Sequence, residues 1–191
     1  MPLIQLATFS ASEEFASSQD IFKESVNLIK GAEGYKGSFY GLQVEDKKIG
    51  YFISVWESSE HRQKLVKASY ADITEKLKPA VGGQFETVHA NVSCDPNAAL
   101  SSPVVAVGIL TLKAGGSADK LRSLLEELGE RADTVTGARP PCIRGQSIED
   151  KSKFLVAIGW DSLEVSVGLH PLSVVRGSCP ADTHATDQGR V

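Results

Sequence analysis

Two histidines lie within predicted helices or strands of the first half of the sequence, where an imidazole could serve as a base. His61 falls in the first turn of a predicted helix, and His89 falls in a predicted strand over residues 84–92. Because an imidazole is partly unprotonated near neutral pH, either side chain could remove a proton from a substrate. A structural interpretation is also open for both. His61 lies beside Arg62, which we expect to be exposed, and His89 would be a polar residue packed in a sheet.

The predicted strand at residues 84–92 divides its side chains between two faces, because successive side chains of a strand alternate. One face is mixed and the other is small and aliphatic. The mixed face carries Phe85, Thr87, His89 and Asn91, and the aliphatic face carries Val88, Ala90 and Val92. We expect the aliphatic face to pack against helices and the mixed face to point toward an opposing sheet or a cavity.

All four tyrosines of the sequence, and one of its two tryptophans, lie in its first half. Aromatic rings offer stacking surface to an apolar ligand, and a phenol hydroxyl adds a hydrogen bond without a charge. The sequence therefore predicts an aromatic substrate pocket in the first half. Its predicted binding residues are Tyr35, Tyr51, Trp56 and Tyr70. For Trp56 a core position at the corner between a strand and a helix is the simpler interpretation.

The sequence contains no motif for a metal or a nucleotide cofactor. His170 and His184 are far from the other histidines, and no HxxxH or HxH spacing occurs, so we predict no metal site. No GxGxxG, P-loop or GxSxG motif occurs, and we predict no cofactor. Cys94, Cys142 and Cys179 are unevenly spaced, which is typical of free thiols in a reducing cytosol, although a Cys94–Cys179 bridge stays open.

The composition is that of a globular protein, with 191 residues, 41% hydrophobic residues and 23% charged residues. A net charge of −4 argues against a nucleic-acid-binding protein, which usually carries a basic surplus. No apolar run is long enough for a membrane span, and the first residues do not resemble a signal peptide. These features predict a cytoplasmic protein without nucleic-acid or membrane partners.

The sequence repeats a short motif around its two tryptophans. Trp56 and Trp160 each end an apolar predicted strand and are each followed by an acid, a serine, any residue and a glutamate. A serine followed by a glutamate is typical of a helix start, because both side chains can interact with the free amides there. Two copies at matching places indicate an internal duplication.

The predicted elements divide the chain into two repeats, a linker and a tail. Residues 1–95 are predicted to run strand, helix, strand, strand, helix, strand, which is a ferredoxin-like unit. Residues 96–103 have the composition of a linker. Residues 104–176 restart the pattern as a second, truncated repeat, whose last helix is interrupted at Gly168 and Pro171. Residues 177–191 are polar and are predicted to be a tail.

We therefore predict an α+β fold of tandem ferredoxin-like repeats (β-α-β-β-α-β) that form an intrachain pseudo-dimeric α+β barrel. Each repeat covers one face of its sheet with helices, so the other face needs a partner, and the second repeat supplies one. The hairpins are predicted to turn at residues 45–48 and 149–151. We expect two antiparallel sheets that face each other, and one continuous sheet, or a mainly parallel one, would make the duplication argument wrong.

The motif around Trp56 resembles that of the antibiotic-biosynthesis-monooxygenase (ABM) family of the dimeric α+β barrel superfamily. The residues that carry the resemblance are Gly34-Tyr35-Lys36-Gly37, the strand from Tyr51 to Trp56, and Glu57-Ser58-Ser59-Glu60-His61. The resemblance covers residues 3–92 well and residues 103–176 more weakly. It implies the barrel fold, but members of the superfamily differ widely in their chemistry.

The resemblance implies a cofactor-independent monooxygenase, or a related cyclase or isomerase, that acts on a small hydrophobic or aromatic metabolite. Such a site needs a dry apolar cavity and a base. Tyr70 lies near the place of a typical family histidine, which argues against haem ligation, and Val165 stands in the second repeat where the first has His61. We therefore place the candidate pocket in the first repeat, with His61 or His89 as the base.

A second hypothesis from a different class stays open. It is a non-catalytic barrel that binds a small hydrophobic ligand or serves in an assembly, and a homodimer is compatible with both hypotheses. A ligand-sized cavity among Tyr35, Tyr51, Trp56 and His89 would favour the enzyme, whereas a solidly packed interior would favour the second hypothesis.

Overall fold

The structure is a computed structural model that describes residues 1–166 and the backbone of residues 173–178. The described elements are the strands Leu3–Ala11 (β1), Tyr35–Gln43 (β2), Ile49–Trp56 (β3), Val81–Asn91 (β4), Val104–Thr111 (β5), Ala138–Gln146 (β6), Lys153–Trp160 (β7) and Ser173–Ser178 (β8), and the helices Glu13–Ser17 (α1), Phe22–Lys30 (α2), Ser59–Leu77 (α3), Asn97–Leu100 (α4), Ala118–Asp133 (α5) and Leu163–Ser166 (α6). In this part of the chain no helix is both long enough and apolar enough to span a membrane.

Some of the sequence predictions lie outside the described residues. They are the helix interruption at Gly168 and Pro171, the pairing of Cys179, and the tail beyond the first two of its residues, which end β8. The two other cysteines, Cys94 and Cys142, are free thiols. The segment at residues 96–103, predicted as a linker, contains α4.

The two halves of the sheet have the same strand order. The first half runs β4-β1-β3-β2 and the second runs β8-β5-β7-β6, with every pair of neighbours antiparallel. Strands β5, β6, β7 and β8 of the second half correspond in chain order to β1, β2, β3 and β4 of the first half, so the two orders are identical. Both halves are therefore ferredoxin-like, and the predicted fold class is confirmed.

The expectation of two separate sheets is wrong, because the eight strands form one continuous antiparallel sheet. β8 pairs with β5 on one side and with β2 of the first half on the other. At the far end, β4 and β6 meet at a bridge between Ala90 and Ser147, and the Ile148 N–H donates to the His89 carbonyl at 2.9 Å. These two junctions satisfy backbone groups that open sheet edges would leave unpaired. The criterion that one continuous sheet would make the duplication argument wrong is itself wrong for a closed barrel. Both junctions join the same kinds of strand in opposite halves, which is the arrangement that two equivalent repeats produce.

The central core lies between the two halves and draws side chains from both. Ile53 and Val55 of β3 pack there in one cluster with Val105 of β5 and Leu155 of β7. The short helix α4 adds the buried residues Ala99 and Leu100 to the same cluster. This cluster is the shared interior that the barrel prediction requires.

Two further cores lie on the helix-covered faces. In the first half, Phe22 of α2 packs with Phe52 and Trp56 of β3. In the second half, Leu125 of α5 packs with Phe154 and Trp160 of β7. Each half thus has a helix side of its own, which is separate from the interior that it shares.

The prediction for the faces of β4 is wrong. Ala90 and Val92 point into the central core, whereas Phe85 and Thr87 point to the side of α3. The central core between the two halves is tightly buried, so it takes the small aliphatic face of β4. The side of α3 is covered less completely, so it tolerates the mixed face. The mixed face does point toward a cavity, which is one of the two surroundings that we predicted for it.

The two tryptophan motifs occupy equivalent corners. Trp56 pairs with Leu3 and Tyr35 on its two neighbouring strands, and Trp160 pairs with Val104 and Ala138. Both indoles are buried. The residue after each tryptophan donates its backbone N–H to a glycine carbonyl, from Glu57 to Gly34 at 2.7 Å and from Asp161 to Gly137 at 2.8 Å. The backbone of the corner is therefore built twice with the same contacts, although the Trp56 indole N–H has a partner and the buried Trp160 indole N–H has none in the described residues.

We expect Trp160→Ala to lower the free energy of unfolding by about 3–5 kcal/mol, because the truncation empties a fully buried site. Chemical denaturation followed by circular dichroism measures this change. Trp160→Phe is the matched control, since it keeps an aromatic ring in the corner and should be less destabilising. An unchanged denaturation midpoint for Trp160→Ala would contradict the assignment of this residue to the core.

Candidate functional site

A cavity of about 430 Å³ lies in the first half, between the sheet and helices α2 and α3. This volume is within the range of small-molecule sites. Strands β1, β3 and β4 form its floor, and α3 covers it. The apolar part of the wall is formed mainly by Ile29, Phe52, Trp56, Leu65, Ile73 and Leu77.

The cavity exists because α3 covers the sheet without packing tightly against it. Although α3 is 19 residues long, none of its residues is buried. Leu65, Ile73 and Leu77 are only half-buried, since they face the cavity. The helix also departs from helical geometry at Ser69, with φ −139° and ψ 22°. The next residue, Tyr70, lines the cavity and is 66% exposed, which places it where the cavity meets the surface.

One end of the cavity is polar. Gln5 of β1 and Ser54 of β3 lie opposite each other in the sheet and therefore on the same face. Arg62 of α3 reaches down to this pair, and its Nε–H donates to Gln5 Oε1 at 2.7 Å. The Trp56 Nε1–H donates to Ser54 Oγ at 2.9 Å. All four residues line the cavity.

The second half lacks this polar pair. Counting back from Trp160 in the same register, the counterpart of Ser54 is Ile158 and the counterpart of Gln5 is Ala106. Both counterparts are buried in the core beneath α5. The polar end is therefore specific to the first half.

His89 lies next to the polar end, opposite Gln5 on the neighbouring strand. It is not part of the cavity wall. Its Nδ1 is 2.5 Å from Oε1 of Glu149, which comes from the hairpin turn of the second half. The other oxygen of Glu149 accepts a hydrogen bond from Ser147 Oγ at 3.0 Å. The His89 Nε2 is buried and has no hydrogen-bond partner in the part of the chain that the structure describes.

Burial lowers the pKa of His89, and the positive charge of Arg62 lowers it further. Glu149 acts in the opposite direction but does not reverse the shift. For Glu149 burial acts to raise the pKa, but hydrogen bonds from Ser147 and the backbone, together with His89, leave the pKa below its ordinary value. A neutral imidazole beside a carboxylate carries its proton on Nδ1, so Nε2 keeps a free lone pair. The arrangement can therefore supply a base at Nε2.

His61 lies away from the cavity. Its Nδ1 is 3.2 Å from Ser58 Oγ and its Nε2 is 3.6 Å from Glu33 Oε1. The ring packs on Gly34, which has a φ of +74°, and a Cβ at Gly34 would lie only 2.3 Å from the ring. Val165 lies against Gly137 in the same way in the second half. Since a valine fills the equivalent place, the position of His61 is explained by packing.

The structure brings two of the four predicted binding residues together. Trp56 and Tyr70 line the cavity. Tyr35 packs edge-on against Trp56 with 5.6 Å between ring centroids, but it does not line the wall. Tyr51 lies on the opposite face of β3, in the central core.

Sequence reasoning missed Gln5, Arg62 and Glu149. We expected Arg62 to be exposed, but it is half-buried in the cavity wall. Its place three residues before Leu65 puts both on one side of α3, which is a signal that could have found it. Glu149 carries no such signal, because its contact with His89 joins residues of different halves. In the described residues no cluster of His, Cys, Asp and Glu could hold a metal ion.

Several solved structures are similar to this one over most of the chain. A protein from Fusobacterium nucleatum subsp. nucleatum, described as a proposed monooxygenase, has a TM-score of 0.66 and 12% identity, covering 87% of this chain and 79% of its own. A second protein described as a proposed monooxygenase, from Lactobacillus acidophilus, has a TM-score of 0.61 and 12% identity, covering 92% of this chain and 93% of its own. An anthrone oxidase-like protein has a TM-score of 0.65 and 12% identity, covering 97% and 96%.

At this level of identity the likenesses show the fold alone. It is the dimeric α+β barrel fold, in a two-repeat chain, that the motif around Trp56 predicts. No protein-family model and no curated protein matches the sequence. The activity must therefore be argued from the site.

We expect an NMR titration to give His89 a pKa below the ordinary 6.5. The unfolded chain then binds a proton at this residue where the folded chain does not, so the free energy of unfolding should fall as the pH drops below 6.5. In His89→Gln this part of the pH dependence should be absent. A His89 pKa above 6.5 would mean that Glu149 outweighs both burial and Arg62.

Proposed function

We propose that the protein is a cofactor-independent monooxygenase that oxidises a small, mainly apolar, aromatic metabolite in the cavity of the first half. The observation that carries this proposal is a ligand-sized apolar cavity whose polar end adjoins a histidine held by a carboxylate. Water exclusion and a base are the two requirements of such chemistry. The names of the similar structures, which include proposed monooxygenases and an anthrone oxidase-like protein, support the same kind of reaction.

The substrate itself supplies the electrons in this reaction. A base removes a proton from an activated CH₂ group or a phenol, and the resulting carbanion or phenolate reduces O₂. One oxygen atom then enters the substrate as a carbonyl, and the other leaves as water with two hydrogens of the substrate. These are both hydrogens of the CH₂ group or, for a phenol that becomes a quinone, the hydroxyl hydrogen and the hydrogen of the oxidised ring carbon. The overall change, R₂CH₂ + O₂ → R₂C=O + H₂O, balances without a reductant, metal or flavin.

In this proposal His89 Nε2 takes the proton, and Glu149 is a positioning residue that fixes the tautomer and the ring. Trp56 offers a stacking surface inside the cavity, and Tyr70 offers one at the opening. Because Gln5 and Arg62 form the wall beside His89, their side chains must rotate for a substrate to reach Nε2. Long side chains such as these change rotamer readily.

The second candidate is a non-catalytic barrel that binds a small hydrophobic ligand. The observation that favours it is the absence of His89 from the cavity wall. A protein of this kind would bind aromatic molecules in the cavity and would consume no oxygen.

We expect oxygen uptake by the wild-type protein with at least one member of a panel of polyphenolic and fatty-acid-derived compounds, measured with an oxygen electrode. His89→Ala should lower the rate by about 10²–10⁴-fold, which is the usual contribution of a general base. Glu149→Gln should lower the rate less than His89→Ala does, because glutamine keeps a hydrogen-bond partner for Nδ1 of His89. This substitution should also shift the pH profile of oxygen uptake.

His61→Val is the matched variant, since valine occupies the equivalent corner of the second half, and its rate should stay close to that of the wild type. A wild-type protein that takes up no oxygen with any compound would favour the ligand-binding candidate. An active protein in which His89→Ala slows the reaction by less than about tenfold would exclude His89 as the base.

A further inference from the structure

Arg62 brings a permanent positive charge into a wall that is otherwise mainly apolar. It is half-buried, and its Nε–H donates to the neutral side chain of Gln5. In residues 1–166 no carboxylate lies within 4.0 Å of its nitrogens. Lys78, the other cation of the wall, differs because it is exposed and pairs with Glu75.

Three other arginines whose side chains are described have an acid as a partner. Arg122 pairs with Asp119, Arg131 with Glu127 and Arg139 with Asp161, and all three arginines are largely exposed. Arg144, which is also half-buried, has no acid partner in the described residues and donates to the Glu126 carbonyl at 3.3 Å. Arg62 differs from the three exposed arginines because it is half-buried and has no counter-ion in residues 1–166, and it differs from Arg144 because it lines the cavity. A buried charge without a counter-ion is unfavourable, so the position of Arg62 needs a compensating interaction.

Glu149 compensates part of this charge, but neither of its oxygens lies within 4.0 Å of an Arg62 nitrogen. Its negative charge acts on Arg62 through space. Its two oxygens contact His89 and Ser147. A guanidinium has five N–H donors, and the bond to Gln5 uses one of them, so donors remain for a molecule in the cavity.

We propose that Arg62 binds an ionised oxygen of the ligand, so that the cavity selects a mainly apolar molecule that carries one phenolate or enolate oxygen. This inference rests on the proposed function and narrows its substrate class. A cationic hydrogen-bond donor in a dry site binds an oxygen anion more strongly than it would in water. In the proposed reaction the same contact would stabilise the anion that forms when His89 removes the proton.

The inference is tested with two probes of the same aromatic body. They are 4-nitro-1-naphthol, whose phenolate has a visible absorption band of its own, and 1-nitronaphthalene, which cannot ionise. We expect the wild-type protein to bind the naphtholate more tightly than the neutral probe and to lower the pKa of the bound naphthol. Arg62→Gln should weaken naphtholate binding by about 10–100-fold, the range of a charge-assisted hydrogen bond, and should leave binding of 1-nitronaphthalene unchanged.

Lys64→Gln is the control for charge alone. Lys64 lies on the same helix, is 72% exposed and pairs with Glu33, so its loss should change the binding of neither probe. Thermal unfolding of all three proteins shows whether each variant is folded. The inference is overturned if folded Arg62→Gln binds both probes as the wild type does, or if it loses both equally.

The binding test does not depend on turnover. If the naphtholate preference is found and depends on Arg62 but no oxygen is consumed, the anion site stands and the oxygenase proposal fails. If oxygen is consumed and the preference is absent, the oxygenase proposal stands and the anion site fails.

Discussion

Each four-stranded half needs a partner for the face of its sheet that no helix covers. The chain meets this need internally, because the second half supplies the facing surface and the two together form the central core around residues such as Ile53 and Leu155. Burial of these aliphatic side chains is the dominant favourable term that holds the halves together. Since this core lies between the halves, the helix side of the first sheet can be left partly open. The cavity beneath α3 depends on that division.

The closure of the barrel also assembles the candidate site. β4 carries His89, and the turn after β6 carries Glu149, so the two residues meet only because these edge strands meet at Ala90 and Ser147. A single ferredoxin-like half would contain the cavity but would lack the carboxylate that orients the imidazole. In this sense the second half takes part in the site through one side chain, although the cavity wall belongs to the first half.

The fold could be predicted from the sequence because its signals are local. The strand that ends at Trp56, the polar hairpin turns and the helices that begin after a serine repeat in order, and each depends on neighbours in sequence. The site could be predicted only in part. The four tyrosines predicted a cavity in the first half, where one lies. Tyr51 lies five residues before Trp56 on the same strand, so the alternation of side chains places it on the opposite face, in the central core. That sequence signal was not used. Glu149 was missed because its contact with His89 joins distant segments, whereas the spacing of Arg62 and Leu65 on α3 was a local signal that was not used.

The comparison of the two halves separates structure from chemistry within the site. Trp56 and Trp160 occupy the same corner, and His61 and Val165 pack on equivalent glycines, so these positions serve the fold. The halves differ where Ser54 faces Gln5 in the first and Ile158 faces Ala106 in the second. Polar side chains beneath a helix are unfavourable unless they have partners. Gln5 and Ser54 have such partners, but packing alone does not explain why these polar residues occur in one half only. They lie beside Arg62, which pairs with no described carboxylate, and this arrangement fits a binding site.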